Sequence, residues 1–72
     1  MNQELLRTTV GEVLEVEPST LAETTVLEEV PGYDSLKVLT LMVALDEIGL
    51  SVAQSEVGKL RTYGDIVALS VR

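Results

Sequence analysis

Nineteen residues, Pro31 to Gly49 (PGYDSLKVLTLMVALDEIG), limit what this chain can become more than any other stretch. They open on a Pro-Gly turn signal and close on a glycine, and between these lies the longest apolar-rich segment of the sequence. The spacing predicts a helix from about Ser35 to Ile48. At about 100° per residue, Val38, Leu41, Met42 and Leu45 share one face, with Ile48 at its edge. Leu36, Thr40, Val43 and Glu47 form a second stripe on the opposite face. The first row has the makings of a core; the second places two apolar residues where the helix does not need them for its own burial.

Ser35 stands at the amino end of both rows. The first turn of a helix carries unpaired backbone N–H groups and the positive end of the macrodipole, so it favours an anion. A serine there can bear a phosphodiester at low electrostatic cost. Asp or Ser ahead of an apolar run is also an ordinary N-cap, and both roles can coexist, with Asp34 capping and Ser35 carrying.

Seventy-two residues predict one domain, 1–72, without a second. A chain of this size buries only about 60% of its unfolded surface, which is marginal without disulfides or metal. Cys and His are both absent, so an apolar fraction of 46% has to hold the fold, through an expected core of Leu, Val, Ile and Met. The same absences remove a thiol nucleophile, a Ser–His pair and an imidazole base, and the chain is too short to wall off a deep pocket around carboxylates. The expectation is a non-enzyme without a metal site.

A net charge of −7 argues against nucleic acid and anionic membranes as partners. All of that excess precedes the central helix: residues 1–35 hold eight acids and one base, residues 36–72 four of each. The start lacks a basic segment followed by an apolar one, and the longest apolar run, Leu41 to Leu45, is far too short to span a bilayer. These features predict a soluble, cytoplasmic monomer.

Elsewhere, Leu6, Val10, Val13 and Leu14 recur at helical spacing from about Asn2 to Val16, until Pro18 stops the helix. Gly11 weakens it by about 1 kcal/mol unless another element crosses closely there. Residues 17–34 make a long loop, pinned by Leu21, Val26, Leu27 and Val30, with a helical turn near Thr25–Glu29 or, alternatively, a strand. A short third helix is expected over Ala53–Leu60, with Ser51 as its cap, and Thr62-Tyr63-Gly64-Asp65 reads as a capping box opening a last helix through Ile66, Val67 and Leu69.

Gly32-Tyr33-Asp34-Ser35-Leu36, followed by a helix ending in Leu45-Asp46-Glu47-Ile48-Gly49, resembles the acyl carrier proteins, and the similarity runs through most of the chain. The resemblance implies an all-α four-helix bundle with a long first loop and a short third helix. It implies 4′-phosphopantetheine, taken from coenzyme A, on Ser35, with Asp34 and Leu36 flanking it in the motif. The expected partners are a phosphopantetheinyl transferase and the enzymes that load and transfer acyl or aminoacyl groups, read through Leu36, Lys37, Thr40, Val43 and Glu47. Fatty-acid carriers usually present acids along this helix, where this chain has Lys37 and Thr40. That departure points to a carrier of a specialised pathway, such as polyketide-like biosynthesis, rather than housekeeping fatty-acid synthesis. The rival reading is an unmodified helical interaction module that uses the same stripe. Tyr33 either shields the base of the arm or fills the loop.

Overall fold

Four helices and a long loop close around a single core in the computed structural model, which describes residues 2–71. Helix α1 spans Gln3–Leu14, α2 Ser35–Glu47, α3 Gln54–Val57 and α4 Tyr63–Ser70. Among the described residues there is no strand, only one antiparallel bridge between Val26 and Thr62. The expected all-α bundle of the acyl-carrier type is the one found.

The Asn2 carboxamide starts α1 by accepting from the amides of Glu4 and Leu5. The helix stops two residues short of Val16 because Glu15 turns into the left-handed region, at φ 60°. Its buried row, Leu6, Val10 and Leu14, meets Leu41 and Leu45 of α2. Gly11 is buried as well, but what crosses it is the returning loop and not another helix. A Cβ there would lie 3.0 Å from both Pro18 Cγ and the Val16 carbonyl oxygen.

The loop contains two 3-10 turns, Pro18–Thr20 and Leu27–Glu29. Leu21, Leu27 and Val30 pin it to the core as expected. Val26 does not: it is 37% exposed, and the strand reading survives only as its one bridge to Thr62. Helix α3 is shorter than Ala53–Leu60, ending before Gly58, and the Ser51 hydroxyl donates to Asp46 Oδ1 (3.0 Å) instead of capping it. The core also departs from the aliphatic expectation, since Tyr63 is its largest fully buried side chain while Met42 is only partly covered.

Candidate functional site

The approach to α2 is set by the loop. Val30 is buried, Tyr33 N–H donates to the Val30 carbonyl (3.1 Å), and Asp34 follows in an extended conformation. From there Asp34 caps the helix twice. Its Oδ1 accepts from Lys37 N–H at 2.9 Å, and its carbonyl accepts the first helical bond, from Val38 N–H at 3.0 Å. Two amides of the first turn, Ser35 N–H and Leu36 N–H, have no protein acceptor among the described residues. The Ser35 side chain is exposed, and its hydroxyl makes no hydrogen bond to another described residue. An uncommitted hydroxyl therefore stands at the open, electropositive end of a helix of 13 residues.

Four of the residues expected on the outer stripe are found together there. Leu36 is 69% exposed and Val43 54%, Glu47 is in solvent, and Thr40 is exposed with its hydroxyl donating back to the Leu36 carbonyl at 2.9 Å. Leu39, 44% exposed, extends this apolar face. Sequence reasoning passed over it, although at about 100° per residue its angle lies nearer the outer stripe than the core row.

Lys37 is not on that face. It is half-buried, and its Nζ donates to the Val13 carbonyl (3.0 Å) and pairs with Glu15 Oε1 (3.4 Å), both at the carboxyl end of α1. From Ser35 through Ala44, the outward side of α2 thus presents no ionised side chain. Tyr33 packs half-buried against the core, where burial, and then the nearby Glu28 carboxylate, raises its pKa. Between α2 and the segment leading into α3 lies a cleft of about 610 Å³, lined by Met42, Val43, Val52 and Ala53, with Asp46, Ser51 and Glu56 at its polar side. Among the described residues no group of three or more His, Cys, Asp or Glu could hold a metal ion, and no helix is long and apolar enough to cross a membrane.

Four helices around one core, with the amino end of the second left open, make a small helical bundle of the acyl-carrier type. The family model of the phosphopantetheine attachment site matches residues 4–70, and the chain belongs to that family. It is therefore a phosphopantetheine-bearing carrier protein, whose cofactor is covalently attached 4′-phosphopantetheine, and it is not an enzyme. No match was found among curated proteins.

Proposed function

We propose that Ser35 is the residue that bears the arm. The observation that carries this reading is the Ser35 hydroxyl itself, exposed and without a partner among the described residues, on a helix end whose first two amides are likewise uncommitted among them. The residues present fit the group: Ser35 N–H and Leu36 N–H suit a phosphodiester, and Asp34, engaged with the Lys37 amide, closes the turn behind it. In the transfer, Ser35 Oγ attacks the coenzyme A phosphorus that bears pantetheine. The hydroxyl proton passes to a base on the transferase, and the bond to the adenosine bisphosphate leaving group breaks. Once attached, the arm supplies a thiol that holds an acyl or aminoacyl group as a thioester.

The partner-reading surface in this proposal is Leu36, Leu39, Thr40, Val43 and Glu47. Its apolar character supports dedicated partners in a specialised pathway over enzymes that read acidic carriers by charge. Malonyl transfer by a fatty-acid-synthesis transferase should accordingly be inefficient. Efficient loading of the unaltered protein would count against a specialised role.

The cleft beside Met42 and Val52 is the proposed resting place for short apolar cargo. Acylation should shift the resonances of the lining residues Met42, Val43, Val52 and Ala53; unchanged shifts would reject it. The central experiment is mass spectrometry after incubation with a promiscuous transferase, Mg²⁺ and coenzyme A. A gain of one phosphopantetheinyl group that disappears in Ser35→Ala is the expected result. A gain that persists in Ser35→Ala would move the site, and no gain at all would favour the unmodified interaction module to which the exposed Leu36/Val43 face is also suited.

A further inference from the structure

Helix α1 ends without a cation of its own. No basic residue lies in its last turn, and Glu12 and Glu15 add negative charge where the macrodipole is already negative. Glu15 N–H and Val16 N–H close back on the Glu12 and Gly11 carbonyls, which leaves the Val13 carbonyl among those the helix cannot satisfy internally. Lys37 of α2 satisfies it, at 3.0 Å, and reaches Glu15 at 3.4 Å. A lysine in the first turn of α2 opposes that helix's own dipole, so its charge is better placed on α1. The backbone of the same residue is held too, by the Asp34 carboxylate at 2.9 Å. Ser35 lies inside the span closed by these bonds. Glu15, for its part, occupies a left-handed conformation that favours glycine, and its carboxylate is the one Lys37 meets.

We infer that Lys37 is a positioning residue for arm attachment: it fastens the first turn of α2 to the carboxyl end of α1 and so holds the Ser35 hydroxyl in one presentation to the transferase. The inference rests on the reading that Ser35 is the modified serine, and it removes Lys37 from the surface that partners read.

The test is the steady-state rate of arm transfer by a promiscuous transferase with coenzyme A, the carrier being the varied substrate, at a temperature where circular dichroism shows every variant folded. Lys37→Met keeps the aliphatic stem and loses the charge. Its kcat should fall by about threefold to tenfold, the loss of a charge-assisted contact being worth that order, with the carrier's KM little changed. Lys37→Arg should recover most of the rate. Glu15→Gln should fall in the same direction by less, and the double variant should be no slower than Lys37→Met alone. Glu15→Gly, which relieves the left-handed strain, should slow transfer without lowering the melting temperature.

A lower melting temperature with unchanged kcat in Lys37→Met would reduce the lysine to a structural contact and overturn the inference. So would a rise in KM alone with Glu15→Gln silent, which would make it a direct contact to the transferase. The Ser35 amide resonance of the unmodified protein gives a readout independent of transfer. It should move in Lys37→Met and Glu15→Gln but not in Glu47→Gln, and an unmoved resonance would likewise overturn the inference. Wild-type protein that gains no mass, with the resonance behaving as expected, would instead fail the reading of Ser35.

Discussion

Helices α2 and α4 begin with the same device and end up in opposite circumstances. Each is capped by a side chain that accepts from the amide three residues on: Asp34 from Lys37, Thr62 from Asp65. At α4 the remaining donors are also taken, since Tyr63 N–H bonds the Thr25 carbonyl and Gly64 N–H the Glu23 carbonyl, both at 3.0 Å. The Asp65 carboxylate turns back to accept from Arg61 and Thr62 at 2.9 and 3.1 Å, and Leu27 N–H reaches the Arg61 carbonyl at 2.8 Å. The long loop seals this end. At α2 the cap uses one amide and leaves Ser35 and Leu36 open. The same cap thus serves both ends; what the neighbouring chain does with the other donors decides whether a helix end is sealed or left open.

The seal is the more fragile of the two ends, and its tightest point is Gly64. A Cβ there would stand 2.6 Å from the Glu23 carbonyl oxygen, a backbone atom that cannot move aside without releasing the loop. Gly64→Ala should destabilise the protein by about 2–3 kcal/mol, the range for overpacking a close contact. That corresponds to a fall in melting temperature of about 15 °C for a domain of this size. At the open end, Leu36→Ala should change stability by less than about 0.5 kcal/mol, because the side chain is already in water. Thermal melts that showed the two substitutions equal would dissolve the contrast between the sealed end and the open one.

The caps themselves sharpen it. Thr62→Ala removes half of a reciprocal box at a covered end and should cost about 1 kcal/mol, whereas Asp34→Ala, where water can replace the lost acceptor, should cost about 0.5 kcal/mol. The box also carries a pH signature. Backbone N–H groups, first Arg61 and then Thr62, hold the Asp65 carboxyl below its ordinary value of 3.8. A depressed carboxylate contributes stability that is fully present above the unfolded-state value and is lost as pH falls through the folded one. Chemical denaturation across the acid range should therefore show a limb near and below pH 3.8 that Asp65→Asn flattens; an unaltered limb would mean the box is not formed in solution.

What could be read from the sequence follows the range of the interaction that carries it. The rows Leu6, Val10, Leu14 and Val38, Leu41, Leu45 announce two helices because period is local, and the Thr62–Asp65 box is legible because its bonds span three residues. The outer stripe of α2 follows from the same angular bookkeeping. Lys37 does not, because on a helical wheel it sits midway between stripe and core, and only the position of the α1 terminus decides which way its ammonium swings. The Val26–Thr62 bridge and the burial of Tyr63 are likewise set by how the loop returns across α4, which periodicity does not encode. The Asp34 cap was legible from the motif. The openness of the end around it is a tertiary fact.

The smallest expected effect probes how dry the sealed end is. Tyr63 is fully buried, and its hydroxyl has no hydrogen-bond partner among the described residues, while Arg7 lies 5.2 Å above the ring centroid and donates to the Pro18 and Leu21 carbonyls of the loop. The ring and the cation do the packing; the hydroxyl is desolvated without compensation. Tyr63→Phe keeps the ring and the cation above it, so at neutral pH it should change stability by less than about 1 kcal/mol, toward greater stability. The sign reverses nothing at high pH but widens the gap. Burial, opposed only in part by Arg7, raises the Tyr63 pKa above 10.0. The phenolate is therefore disfavoured in the folded state, and the wild type loses stability as pH rises past the unfolded-state value, a loss the phenylalanine variant does not share. Urea titrations at neutral and alkaline pH measure both quantities, and a loss well beyond 1 kcal/mol on removing the oxygen, about that of one satisfied buried bond, would mean that water bonds it and that the end around α4 is wetter than its backbone seal implies.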